Sequence, residues 1–176
     1  MNLIIIHGYT VTHEDWDYVV FGDPETGKLG RVTKALQLAL TLPDCNLLFS
    51  TGASKTSDGV FEADYTRRLT HDFVFGDIFE YPQFSDAFLD VDQWRLAVLV
   101  ENALIDKESV NTLQTLEVVH GMFGEDIVDH TLFHVSSLNH TPRISAYVSR
   151  YFTEQQGLSV VNCIVPADTA YFQGST

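Results

Sequence analysis

Three stretches of the sequence concentrate residue types suited to gripping an anion: "STGASKTSDGVFEAD" (50–64), "VENALIDKESVNT" (100–112) and "VSSLNHTPR" (135–143). In the first, Thr51 and Ser54 offer hydroxyls, and Gly52 lets the backbone come close to a ligand. In the second, Ser109 is placed to cap a following helix, and Asn111 and Thr112 extend that polar edge. In the third, His140 and Arg143 stand at the start of a helix, a position suited to holding an anion or donating a proton. Gly8 and Ser136, at the ends of two apolar runs, and Arg31, opening a helical segment, complete the candidate ligand-binding set.

Whether these loops meet depends on the elements between them. The runs "NLIIIHG", "CNLLFSTG", "TLFHVSS" and "LSVVNCIVPA" are β-branched or continuously apolar, as strands covered on both faces tend to be. "WRLAVLVENA" could add a fifth short strand around Leu96 to Val100. Between them, apolar residues recur at helical spacing: Val32, Ala35, Leu36 and Ala39; Phe61, Tyr65 and Leu69; Leu113, Leu116 and Val119; Ile144, Tyr147, Val148 and Tyr151. Alternating strands and helices predict one three-layer α/β/α domain over residues 1–170, a mostly parallel sheet of about five strands flanked by helices. The carboxyl ends of parallel strands line a single edge, so loops distant in sequence converge there beside helix amino ends. The aromatic and acidic stretch over residues 71–95 reads as an excursion, either a lid or contact surface or an ordinary packed loop. The tail "YFQGST" (171–176) partly resembles an expression-tag scar and is assigned no function.

Other motifs fall short of the chemistry they suggest. "IIIHG" looks like the opening of a serine hydrolase, yet no Gly-x-Ser-x-Gly turn exposes a nucleophile anywhere in the chain. "GDPETGKLG" nearly fits a phosphate loop, but Leu29 takes the magnesium-binding hydroxyl position, Pro24 removes an amide, and Asp23 and Glu25 repel phosphate. His130 and His134 lie four apart without an acidic or cysteine cluster, so no metal site is expected.

The formal net charge of −14 argues against nucleic acid and anionic membranes as partners, while one or two arginines in a cleft can still hold a small anion. Cys45 and Cys163 sit among apolar residues, as buried thiols in a reducing compartment do. No basic leader precedes "LIIIHG", and no apolar run nears the roughly 20 residues that span a bilayer, so a cytoplasmic protein is expected.

In these same loops the chain resembles the YdcF/SanA/ElyC-like family of small bacterial proteins. That pattern runs from an apolar strand ending in glycine, through an arginine opening a helix, to a strand ending in Ser-Gly-Gly with a downstream Glu-Ala. A Glu-x-x-Ser-x-x-Thr-x-Glu-Asn stretch and a His-x-x-Arg follow. Here "IIIHG" leads to Arg31, "FSTGAS" precedes Glu62-Ala63, "DKESVNT" supplies Glu108, Ser109, Asn111 and Thr112, and "VSSLNHTPR" supplies His140 and Arg143. Ala53 replaces the second glycine, Leu113-Gln114 stands near the Glu-Asn, and the 71–95 segment is longer. The resemblance implies a Rossmann-like sandwich. One branch of the family is associated with S-adenosylmethionine, and others with cell-envelope or lipid-carrier homeostasis, a role that does not carry over to a sequence without their membrane anchor.

Loops and resemblance together lead to a domain that binds or acts on a nucleotide-type or phosphorylated small molecule; if it is catalytic, the expected reaction is hydrolysis or transfer of a phosphoryl group. Arg31 and Arg143 would hold the anion, assisted by the amides after Gly52 and Ser109. His140, with an ordinary pKa near 6.5, would be the general acid, and Glu62 or Glu108 would orient water or a ligand hydroxyl. The alternative is a non-catalytic sensor or scaffold that binds S-adenosylmethionine.

Overall fold

Leu3, Ile4, Ile5 and Ile6 are all buried in strand β1 (Asn2–His7), so this strand lies inside a sheet covered on both faces. A computed structural model of the chain describes residues 1–50, 52–85 and 88–170. After β1 come a short helix α1 (Trp16–Val20) and a two-stranded antiparallel hairpin, β2 (Gly22–Asp23) and β3 (Lys28–Leu29). This hairpin is the fold of the segment that mimics a phosphate loop. Gly22 adopts a φ of 101°, and a side chain there would meet the Lys28 carbonyl oxygen at 2.1 Å, so only glycine closes the turn. The hairpin delivers the chain directly into helix α2 (Arg31–Thr41), whose buried face is Val32, Ala35, Leu36 and Ala39, as their spacing predicts.

Strand β4 (Cys45–Ser50) and helix α3 (Glu62–Phe75) follow. The face of α3 turned inward is not Phe61, Tyr65 and Leu69 but Ala63, Thr66, Thr70, Phe73 and Val74. Small residues let the helix approach the sheet, and the bulkier Tyr65 and Leu69 pack at its flank, half-buried. The 71–95 excursion packs on this side through Phe73, Val74, Ile78, Tyr81 and Phe84, and includes helix α4 (Pro82–Ser85).

The run around Leu96 to Val100 is helical. Helix α5 (Asp90–Glu101) buries Leu96, Ala97 and Val100 while Val91, Trp94 and Val98 face outward. Apolar residues on two sides erase the helical period, which is why the segment reads as a strand. The Asp92 carboxylate accepts from the Leu89 amide at 3.1 Å and starts the helix. The fifth strand is β5 (Leu104–Asp106), three residues further on.

Helix α6 (Thr112–Phe123), strand β6 (Thr131–Ser137), helix α7 (Thr141–Val148) with a π-helical extension over Ser149–Gln155, and strand β7 (Val161–Ala167) complete the chain. The five strands form one all-parallel sheet in the order β5-β4-β1-β6-β7. One core packs α2, α3 and α5 against Ile4, Ile6, Leu47, Phe49 and Val135. The other packs α6 and α7 against Leu3, Ile5, Leu48 and Leu132. The architecture is a single Rossmann-like α/β sandwich. Cys45 is buried, whereas Cys163, on the outer strand β7, is only half-buried, because one side of that strand has no neighbour. Among the described residues, no helix is long and apolar enough to cross a membrane.

Candidate functional site

From β1 the chain builds outward through β4 to β5, then returns to the other side of β1 for β6 and β7. Connections therefore diverge to either face at β1, and a crevice opens beyond the carboxyl ends of the strands. Here the crevice is a cleft of about 540 Å³. Four helices point their first turns at it. Arg31 opens α2, Glu62 opens α3, Thr112 opens α6, and His140 immediately precedes α7; all four line the cleft. Unpaired amides and the helix dipoles make such a rim electropositive despite the acidic chain.

The two serines ending β6 face opposite sides of the sheet and organise the two basic residues. Ser137 accepts from Nε of Arg31 at 3.0 Å, and Nη1 of Arg31 donates to the His7 carbonyl at 2.9 Å and to the Gly8 carbonyl. The guanidinium is 1% exposed and lies under the Tyr9 ring, 5.4 Å from its centroid. Arg31 thus clamps the end of β1 to β6 and fixes one wall of the cleft. On the other face, Ser136 meets Nδ1 of His140 at 2.9 Å, while an Nη2–H of Arg143 donates to Nε2 of His140 at 2.7 Å. An arginine only donates, so Nε2 is the acceptor and Nδ1 carries the proton given to Ser136. Thr112 approaches the same Nε2 at 3.4 Å.

This wiring changes the role of His140. Burial, then the positive charges of Arg31 and Arg143, lower its pKa to about 4. At neutral pH it is a neutral ring that orients Arg143, not the proton donor its ordinary pKa suggests. Arg143 is itself exposed and lines the cleft. Ser136 is wholly buried beneath His140, so it supports the site rather than touching a ligand.

A second histidine lies deeper. His7, at the end of β1, stacks on His134 of β6 with ring centroids 5.4 Å apart, and its Nε2 lies 3.1 Å from His134 Nδ1. Nε2 of His134 reaches Oδ1 of Asn162 on β7 at 3.0 Å. Burial lowers the pKa of His134 to about 4, partly opposed by Asn162. Burial also holds His7 well below the usual range, reinforced by His134, His140, Arg31 and Arg143.

On the opposite side of the cleft, the β4 and β5 ends form a closed polar knot. Asp106 is 1% exposed; its Oδ2 accepts from Ser50 at 2.9 Å and from the Ser109 hydroxyl, and its Oδ1 accepts from the amides of Glu108 and Ser109, each at 3.0 Å. Thr115 joins through Ser50 at 2.9 Å. Ser109 is therefore tied to Asp106, and the cap of α6 is Asn111, whose Oδ1 accepts from the Gln114 amide at 3.0 Å. Gly52 has a φ of 63° and lies so close to the Ser109 carbonyl that a Cβ would fall 1.4 Å from its oxygen. Its function is this close approach of two loops, and it is buried beneath the cleft wall.

The two acidic candidates part company. Glu62 is 1% exposed and lines the cleft, but its carboxylate accepts from the Tyr9 and Val11 amides, each at 3.2 Å. Burial raises its pKa, opposed by Ser54, then by Trp16 and those amides; the Trp16 indole N–H nevertheless falls outside hydrogen-bond geometry. Glu62 anchors the loop after β1 instead of orienting a water. Glu108 is outside the cleft: Asp106 takes the inward position at the end of β5, and the exposed Glu108 side chain borders a separate hollow with Gln114 and Glu117.

The structure thus brings Gly8, Arg31, Ser54, Glu62, Ser109, Asn111, Thr112, His140 and Arg143 to one cleft. Gly52 and Ser136 lie behind its wall, Glu108 lies apart, and Thr51 is outside the described residues. Sequence reasoning missed His7, Tyr9, His13, Asp106 and the His134–Asn162 pair. The register brings the histidines together: His134 pairs with Ile5 and Ile164, so His7, His134 and Asn162 fall on the same sheet face at two-residue offsets, a placement the separate segments do not reveal. Among the described residues, no group of three or more His, Cys, Asp or Glu side chains could hold a metal ion. Among the described residues, the excursion at 71–95 contributes none to the cleft lining. Comparison with protein-family models, with curated proteins and with solved structures finds no match.

Proposed function

We propose that this protein binds a phosphorylated, nucleotide-type small molecule in the cleft at the carboxyl edge of its sheet, and that it is a divergent member of the YdcF/SanA/ElyC-like family. One observation carries the reading: the starts of four helices and two arginines meet in a single crevice at the point where the strand order reverses. A phosphate there receives helix amides and the Arg143 guanidinium, which His140 holds in orientation. The wall beside it supports a planar ring, since Tyr9 and His13 stack with centroids 4.9 Å apart at the cleft lining.

Binding is better supported than hydrolysis. His7 and His140 have lowered pKa values and Glu62 is engaged with backbone amides, so none of the three is set up as the proton donor for a leaving group at neutral pH. Thermal-shift and calorimetric titration with nucleoside monophosphates, nucleoside diphosphates, sugar phosphates and S-adenosylmethionine tests the proposal. Phosphorylated compounds are expected to stabilise the protein by mass action, and Arg143→Ala to abolish most of that gain. Stabilisation by S-adenosylmethionine alone would overturn it; phosphate release during the same titration would restore a hydrolase.

A further inference from the structure

The buried stripe across β1, β6 and β7 fixes one tautomer at every step. Asn162 donates its Nδ2–H to the Val160 carbonyl at 2.9 Å, which turns Oδ1 toward His134. Oδ1 only accepts, so Nε2 of His134 carries the proton at that 3.0 Å contact. The neutral His134 ring then has a bare Nδ1, and it accepts from Nε2–H of His7 at 3.1 Å. His7 is left with a bare Nδ1. That atom makes no hydrogen bond among the described residues, although the side chain is only 3% exposed and lines the cleft.

We infer that His7 presents Nδ1 to the cleft as a fixed hydrogen-bond acceptor, so that the ligand carries an O–H or N–H donor beside its phosphate, as a hydroxyl-bearing phosphoester does. The inference rests on the phosphate reading above and narrows it. The cleft also offers an anion its donors: the Arg143 cation and the amides at the helix starts. A fully ionised phosphate supplies acceptors only and leaves Nδ1 unmatched. A ribose- or glycerol-type phosphoester satisfies both sets at once. The relay ends on a carboxamide that cannot take up a proton, so His134 and Asn162 act as positioning residues that hold the tautomer.

The test compares ribose 5-phosphate with methyl phosphate by calorimetry, in the native protein and in His7→Phe. The native protein is expected to favour ribose 5-phosphate by about tenfold, the roughly 1.4 kcal/mol of one good hydrogen bond. His7→Phe should erase that preference. Equal affinity in the native protein, or a preference that survives in His7→Phe, overturns the inference while leaving the phosphate reading intact. If neither phosphate binds, the phosphate reading fails and the ligand class inferred here fails with it. Long-range nitrogen–proton NMR of the native protein gives a second decision that needs no ligand and no folded variant. A pyridine-like Nδ1 and a protonated Nε2 on His7 support the acceptor; a protonated Nδ1 overturns it.

Discussion

The two halves of the cleft are built from similar polar residues with opposite outcomes. At the β4–β5 end, Asp106 has both oxygens occupied by Ser50, Ser109 and two amides, so the network closes on itself. At the β1–β6 end, the network stops short: the His7–His134–Asn162 stripe finishes on a ring nitrogen with no partner among the described residues, and Arg143 lines the opening. A saturated buried network stabilises the fold, whereas one left incomplete at its exposed end offers a ligand something to complete. Under the function proposed above, structure belongs to one half and recognition to the other.

Substitutions can break that contrast. The largest effect is expected from Asp106→Ala, which removes the acceptor shared by two hydroxyls and two amides and should lower unfolding stability by about 4 kcal/mol, read from denaturant midpoints. A loss under about 1 kcal/mol would remove the structural role. Acid sharpens the contrast next. The folded chain keeps His134 and His140 neutral down to about pH 4, while the unfolded chain protonates them near 6.5. The unfolded state therefore binds more protons in that interval. Stability is complete above about pH 6.5 and falls toward pH 4 by about 1.4 kcal/mol per pH unit for each ring. His134→Gln should flatten the stability profile by one such slope, and an unchanged profile would show that this ring is not held neutral.

On the recognition side, Arg143→Ala should weaken phosphoester binding 10- to 100-fold, about 1.4–2.7 kcal/mol by titration calorimetry. Because Arg143 is exposed, its thermal midpoint should hardly move. A large drop in midpoint with unchanged affinity would reverse the assignment of the halves. The smallest effect belongs to Glu108→Gln, expected to change neither stability nor affinity by more than about 0.5 kcal/mol, since that side chain is exposed outside the cleft.

Layer order and the meeting of distant loops were legible in the sequence because both follow from local signals. Continuous apolar runs marked β1, β4, β6 and β7, and the spacing of Val32, Ala35, Leu36 and Ala39 marked the inner face of α2. The failures came where two faces of one element carry similar residues. In α5 the outward Val91, Trp94 and Val98 blurred the period, and in α3 threonines took the core positions that bulkier neighbours were expected to fill. Site roles were harder still. Glu62 and His140 each have the side chain that phosphate chemistry uses, yet each is engaged by partners far along the chain, Tyr9 and Arg31 among them. Such partners depend on sheet register, which no single segment reveals.

The same register has a kinetic side. Asn2 pairs with Cys45 on one flank and with Thr131 on the other, so the innermost strand waits for most of the chain before its second neighbour exists. No strand of this sheet can zip from a local hairpin, and loop closure over such spans makes assembly slow. During that delay the run Leu3 to Ile6 is an open, sticky template. Brisk overproduction should accordingly favour aggregates, and slower synthesis in the cold should recover folded protein.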